Sequence, residues 1–244
     1  MSPSDGRHCE RSGALLIELG GLGAALRPSG ALWLAELGVL AVGDLHLEKG
    51  SAYAARGQLL PPFDTADTLR RLEAEVAALS PRVLVLLGDS FHDRRALGRL
   101  SRADAARIAG LGQGRSLIWI VGNHDEEGLE AAFGAGADGL LPGELAAELS
   151  LGALTLRHEP GDGGGEVCGH LHPCAKVVRA GRSVRRRAFV TDGLRLILPA
   201  FGAYAGGLNV RDAAFNGLFS GAPLVGALGD RRVYALPFGA LSGD

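Results

Sequence analysis

VLVLLGDSFHD, Val83 to Asp93, joins five consecutive apolar residues to a Gly-Asp pair and then to His92 and Asp93. The apolar run is too short for a helix and has the continuous hydrophobicity of a strand buried on both faces. Gly88 and Asp89 therefore stand at the C-terminal end of a buried strand. The same construction lies on either side. Upstream, Val39 to Val42 delivers GDLH (Gly43 to His46), and downstream, Leu117 to Val121 delivers GNHD (Gly122 to Asp125). Helical patterns fall between them. Phe63 to Leu79 carries apolar residues at Ala66, Leu69, Leu72, Val76 and Leu79 behind Pro61 and Pro62, with Asp64 or Thr65 expected as its N-cap. Ser101 to Leu111 reads as a second helix. Ala14 to Val42, broken by Gly20, Gly21, Pro28, Gly30 and Gly38, reads as a meander of strands. After Pro142 short alternating stretches follow, around Leu149–Leu151, Leu154–Leu156, Val177–Val178, Phe189–Val190, Leu194–Leu198 and Val233–Leu236. The expected fold class is α/β, a sandwich of two mixed β-sheets flanked by helices, with polar loops gathered at strand C-termini.

The chain has 244 residues, 47% of them hydrophobic, and a net charge of -2, enough for a sizeable core without help from metal or disulfide. One domain over residues 1–244 is expected, with a poorly ordered tail at about 1–12. No apolar stretch reaches the length of a membrane helix, and Asp5, Arg7, His8 and Glu10 interrupt any secretory core, so a cytoplasmic protein without membrane contact is expected. Cys9, Cys168 and Cys174 cannot all pair, which favours free thiols. Lysine is confined to Lys49 and Lys176 while arginine is abundant, so arginine alone says little about phosphate binding.

Six of the seven histidines fall in or beside GDLH, GDSFHD, GNHD, LRHE (Leu156 to Glu159) and GHLH (Gly169 to His172). On an extended segment Asp44 and His46 share a face, as do His170 and His172, so each pair can grip one ion. Asp89 follows its strand alone, and its two carboxylate oxygens suit it to bridge two cations. Asn123 and His158 add a neutral oxygen and an imidazole. A second metal reading is a zinc clip of Cys168, His170, His172 and Cys174, although structural zinc sites usually take ligands from two separated segments.

This order of motifs resembles the calcineurin-like metallophosphoesterase superfamily. Carried over by motif, the resemblance implies that Asp44, His46 and His172 hold one metal, that Asn123, His158 and His170 hold the other, and that Asp89 bridges them. His124 then stands over the scissile phosphate as a catalytic histidine that is not a ligand. Oxygen and imidazole ligands without thiolate favour two divalent ions of manganese, iron or zinc. Such a pair, after Asp44 and Asp89 are counted, keeps a surplus of about two positive charges for a phosphodiester to meet, activates water and clamps an in-line displacement. One departure stands out. Many members carry an Asp that steadies the catalytic histidine where this chain has His92 followed by Asp93. Asp125, Asp93 or a backbone carbonyl remain open for that role, and His92 can instead face the substrate.

From about Leu32 to Phe219 the chain further resembles the ligase-associated DNA damage response endonucleases, through GDLHLEKG, LLGDSFHD, GRSVRRRAFV (Gly181 to Val190) and LILPAFGAYAGGLNV (Leu196 to Val210). That resemblance implies manganese-dependent cleavage of single-stranded DNA in DNA repair, and functional association with an ATP-dependent DNA ligase, an exonuclease-like protein and a helicase. Lys176, Arg179, Arg182, Arg185, Arg186 and Arg187 form a local cation cluster; Arg182, Arg185, Arg186 and Arg187 are candidate DNA contacts. A solvated hairpin with arginines turned outward accounts for it equally well. A small-molecule phosphodiesterase and a non-catalytic metal-binding scaffold remain as alternatives.

Overall fold

The computed structural model describes residues 12–58, 60–61, 63–124, 126–134 and 141–244, so the expected tail, Cys9 and Asp125 lie outside the described residues. The meander forms as expected: β1 (Leu15–Leu19), β2 (Leu22–Leu26), β3 (Leu32–Leu34) and β4 (Val39–Gly43) pair antiparallel in sequence order. The chain then continues through α1 (Lys49–Ala54), α2 (Asp64–Leu79), β5 (Val83–Leu87), α3 (Ala96–Arg99), α4 (Arg102–Leu111), β6 (Ser116–Ile120), α5 (Glu126–Gly134) and β7 (Glu144–Ala146). Parallel pairing of β4, β5, β6 and β7 completes a seven-stranded mixed sheet. Its register sets Gly43 beside Leu87 and Leu87 beside Ile120, so the loops that follow all leave the sheet at one level.

The second half builds a second mixed sheet from β8 (Glu148–Leu151), β9 (Leu154–Arg157), β10 (Glu166–Cys168), β11 (Cys174–Arg179), β12 (Arg182–Thr191), β13 (Arg195–Ile197), β14 (Leu224–Leu228) and β15 (Val233–Pro237). Its order is β15-β14-β12-β13-β10-β9-β8, with β11 paired to the first half of β12. Parallel β9 and β10 bring the residues after them, His158 and Gly169, together through a hydrogen bond of 3.0 Å from Gly169 N–H to the His158 carbonyl. The sheets meet where Gly43 bridges Ala200, and Phe201 N–H donates to the Gly43 carbonyl.

Side-chain alternation along the central strands explains their unbroken apolarity. Val39, Ala41, Val85, Leu87 and Ile120 point into the core between the sheets, beside Leu154, Val167, Phe189 and Leu196. Leu40, Val42, Leu84, Leu86 and Trp119 point the other way, against Leu69 and Leu72 of α2, Ile108 of α4 and Leu129 of α5. These strand residues are thus buried whichever side they face. No helix is long and apolar enough to cross a membrane among the described residues.

The N-cap expectation for α2 needs correction. Asp64 and Thr65 lie inside the helix, Phe63 precedes it, and no side chain caps it. Both polar side chains serve the GDLHLEKG loop instead. Asp64 Oδ2 accepts the Gly50 N–H at 3.0 Å, while Thr65 Oγ1 accepts the Glu48 N–H at 2.8 Å and donates to Glu48 Oε1 at 3.0 Å. Ser101, by contrast, caps α4 through a 3.0 Å bond from Asp104 N–H. Thr65→Val should therefore cost about 1–3 kcal/mol, because it strands a buried N–H and a carboxylate oxygen, and denaturant unfolding measures the loss. A change below about 0.5 kcal/mol, ordinary for a surface substitution, would remove this bond from the loop's support.

Candidate metal centre

The register gathers the motif loops at one end of the sandwich. Ligand atoms of Asp44, His46, Asp89 and His172 all lie within 4.8 Å of one another, and so do those of His158, Glu159 and His170. In the first group His46 Nε2 lies 3.2 Å from His172 Nε2, 3.8 Å separates His46 Nε2 from Asp89 Oδ2, and His172 Nε2 is 3.2 Å from Asp44 Oδ1. In the second, His158 Nε2 lies 3.2 Å from His170 Nδ1 and 3.0 Å from Asn123 Oδ1. Asp89 joins the two groups: its Oδ2 faces His46 while its Oδ1 lies 3.5 Å from His158 Nε2. All seven candidate ligands from the sequence are brought together. Glu159, 3.8 Å from His170 Nδ1, joins the second group although in sequence it reads as an ordinary exposed acid after His158.

Local backbone departs from the extended segments that spacing suggests. Asp44, His46, Asp89, His170 and His172 all have positive φ, between 43° and 66°, in the left-handed region. Non-glycine residues seldom adopt it, and such strain gathers where a site dictates side-chain direction. Two motif glycines let the loops close up. A Cβ at Gly122 would lie 2.1 Å from the Asp89 nitrogen, and one at Gly169 would lie 2.6 Å from Asp44 Oδ2.

The arrangement suits cations. Two pairs of imidazole nitrogens face each other at hydrogen-bond distance beside buried carboxylates, and the Nδ1 atoms of buried His46 and His158 have no hydrogen-bond partner. Burial, with the neighbouring His172 charge, lowers the His46 pKa to about 2, so the ring favours its neutral form, the form a cation needs. His172 is opposite. Burial opposes its protonation, but the hydrogen bond to Asp44 and the charges of Asp44 and Asp89 raise its pKa above the usual value. Ligand atoms within 4.8 Å of one another fit around a single ion with bonds of about 2.0–2.6 Å. The zinc clip does not form: neither cysteine joins a group, and burial, with Glu166 nearby, pushes the Cys168 thiol up to about 12.

The sequence model of the calcineurin-like phosphoesterase family matches residues 37–185, from just before β4 into β12. The chain belongs to the calcineurin-like phosphoesterase family. No curated protein matches its sequence. Among solved structures it is similar to the Pseudomonas putida nuclease MPE, with 28% identity, a TM-score of 0.69, and coverage of 91% of this chain and 100% of that one. The Escherichia coli phosphoesterase YfcE is more distant, at 14% identity and a TM-score of 0.41 over 82% of this chain and 98% of that one.

In this phosphoesterase His124 stands just outside the ligand groups. Its N–H donates to Asp89 Oδ1 at 3.0 Å, and its half-exposed ring has Nε2 4.0 Å from Asp89 Oδ2. His92 stacks against it with centroids 6.1 Å apart, and both line a cavity of about 360 Å³ with Asn123, Arg94, Glu126 and Glu127. Burial and the Lys49 charge lower the His92 pKa. Asp93 is committed elsewhere: its oxygens accept Arg99 at 3.0 and 3.1 Å and the Arg95 N–H at 2.9 Å. The arginine cluster divides. Arg182 and Arg186 lie exposed on one face of the β11–β12 ribbon. On its other face Arg185 pairs with Asp244 at 2.9 Å, and Arg187 turns inward to the carbonyls of Ala200 and Gly202 at 2.8 and 3.1 Å. Burial lowers the Arg187 pKa.

If ions sit on both sides of Asp89, Asp89→Ala should reduce bound metal and hydrolysis together, because each ion loses a ligand; elemental analysis beside an activity assay tests it, and full metal content would contradict a bridging role. Binding must also displace the proton that Asp44 and Asp89 favour on His172. Apparent metal affinity should therefore strengthen as pH rises from about 5 to 8. Calorimetric titration across that range measures the trend, and a flat profile would contradict it.

Proposed function

We propose that this protein is a binuclear metal-dependent phosphodiesterase that cleaves single-stranded DNA internally. The observation that carries the reading is the position of Asp89, with one oxygen toward each ligand group. On this assignment Asp44, His46 and His172 would hold one ion, Asn123, His158 and His170 would hold the second, and Asp89 would be shared by both. Carboxylate, amide and imidazole ligands without thiolate suit manganese, iron or zinc, and the resemblance to ligase-associated endonucleases favours manganese. When bound, the pair supplies charge for the phosphoryl oxygens and activates water.

The chain's own residues do the rest. Asp89 fixes the His124 backbone, so the imidazole stands beside the ligand groups while staying half exposed to substrate. From there His124 stabilises a phosphoryl oxygen or gives a proton to the departing oxygen. His92 sits against the open side of His124 and limits the directions from which a substrate enters. Asp125 keeps its place as a candidate orienting residue, whereas the contact of both Asp93 oxygens with Arg99 Nη2 argues against Asp93.

Likeness to a nuclease at 28% identity over nearly the whole chain supports a nucleic acid substrate. Sequence resemblance to ligase-associated endonucleases extends the reading to DNA repair in the cytoplasm, alongside an ATP-dependent DNA ligase, an exonuclease-like protein and a helicase. Of the arginines, Arg182 and Arg186 remain best placed for DNA, since Arg185 is paired with Asp244 and Arg187 braces a loop. The alternative of a small-molecule phosphodiesterase shares the same chemistry. Manganese-loaded protein should linearise circular single-stranded DNA, which offers no ends to an exonuclease. Turnover of an aryl phosphodiester with no cleavage of circles would favour the small-molecule reading. His124→Ala should keep its metal and lose about 10²- to 10⁴-fold in turnover; metal loss in that variant would make His124 a ligand.

A further inference from the structure

We infer that the α1 segment forms a nucleotide subsite beside the catalytic centre, with Lys49 holding a phosphate next to the scissile one and Tyr53 stacking a base. The inference rests on the phosphodiesterase reading and names where its polymer substrate is gripped. Lys49 and Tyr53 are four residues apart on one helix, so they share a face. That face meets the site. The Tyr53 ring lies 5.9 Å from the His92 ring, tilted by 35°, and His92 stacks in turn on His124. The result is an aromatic row from half-buried Tyr53 to the catalytic histidine.

Lys49 stands at the start of this row. It is half-buried, and the anion whose charge bears on it is Asp64, a carboxylate already accepting the Gly50 N–H. Its charge bears on His46, His92 and His172 from beside the ligand groups, and Arg56, exposed past the end of α1, adds a second cation felt at His92. Burial lowers the Lys49 pKa, which a phosphate at that position would counter. The arginines of the β11–β12 ribbon, by contrast, are partly consumed by Asp244 and by loop carbonyls. A cation with an aromatic ring one helical turn on is the pairing that grips a single strand: charge follows the backbone while the ring takes an unpaired base. Duplex DNA keeps its bases stacked on each other and has no base to offer Tyr53, so the subsite also gives a reason for single-strand preference.

The test compares variants on two substrates. Tyr53→Leu should lower kcat/KM on single-stranded DNA relative to an aryl phosphodiester by about 5- to 100-fold, while Tyr53→Phe retains the parent ratio. Lys49→Gln should lower the same ratio and flatten the salt dependence of DNA binding by about 0.7 in log-log slope. Binding is read separately by fluorescence anisotropy in the manganese-loaded His124→Ala background. Moving one abasic nucleotide along an oligonucleotide should reveal a position where base removal weakens binding, and Tyr53→Leu should abolish that sensitivity. Equal losses on both substrates, or abasic sensitivity unchanged in Tyr53→Leu, would overturn the subsite and leave the phosphodiesterase reading standing. Failure of the parent protein to bind or cleave single-stranded DNA would overturn the subsite together with the DNA-cleaving reading on which it rests.

Discussion

The position of one carboxylate organises this molecule. Asp89 follows β5, which lies between β4 and β6, with a left-handed backbone that turns its two oxygens toward different histidine groups. Every other motif loop is placed relative to it. Parallel pairing sets the GDLH loop on one side and the GNHD loop on the other, and Gly122 lets the latter close until His124 N–H reaches Asp89 Oδ1. The second sheet completes the arrangement by bringing His158, His170 and His172 across. A buried anion among imidazoles is costly unless its charge is met. The whole end of the sandwich is thus shaped for cations.

Holding strained loops in place requires support that makes no contact with substrate. Beneath GDLHLEKG the side chains of Asp64 and Thr65 bind the backbone of Gly50 and Glu48, while Ser51 hydroxyl donates to Glu48 Oε2 at 2.6 Å. Arg99 ties this network to the next motif by bonding Ser51 Oγ at 2.9 Å and Asp93 at 3.0 Å. On the far side, Arg71 and Arg187 converge on the carbonyls of the 200–202 loop, which hydrogen-bonds to the Gly43 and Asp44 carbonyls. Arg71 also lies over the Phe201 ring at 4.7 Å. These contacts turn two sheets and a loop into a frame with little freedom at the ligands.

How much of this was legible depended on the type of signal. Continuous apolar runs at Val83–Leu87 and Leu117–Ile120 marked buried strands because both faces of the first sheet are covered, so length and apolarity sufficed. The three residues of β10 and the glycine-bearing β14 carried no such signature, and pairing with neighbours defines them. The candidate ligands could be picked out because metal chemistry restricts residue type. Their geometry could not: alternate spacing suggested extended segments, whereas left-handed residues at Asp44, His46, His170 and His172 steer the side chains. The arginine cluster was contiguous in sequence, yet strand alternation sends its members to opposite faces. Asp64 and Thr65 looked like caps because capping and loop-binding use the same polar atoms.

Function follows from this geometry in layers. Membership of the calcineurin-like phosphoesterases and the two ligand groups define a metal-assisted ester hydrolase, while the reach of the substrate along the surface decides which esters are cut. At the base of both stands the claim that two ions share Asp89. Electron paramagnetic resonance of the manganese-loaded protein tests it most directly. Two equivalents of manganese held about 3.5–4 Å apart should give the multiline spectrum of an exchange-coupled pair, lost when Asp89 is replaced by Ala. Saturation at one equivalent, or spectra of isolated ions at two, would contradict the account.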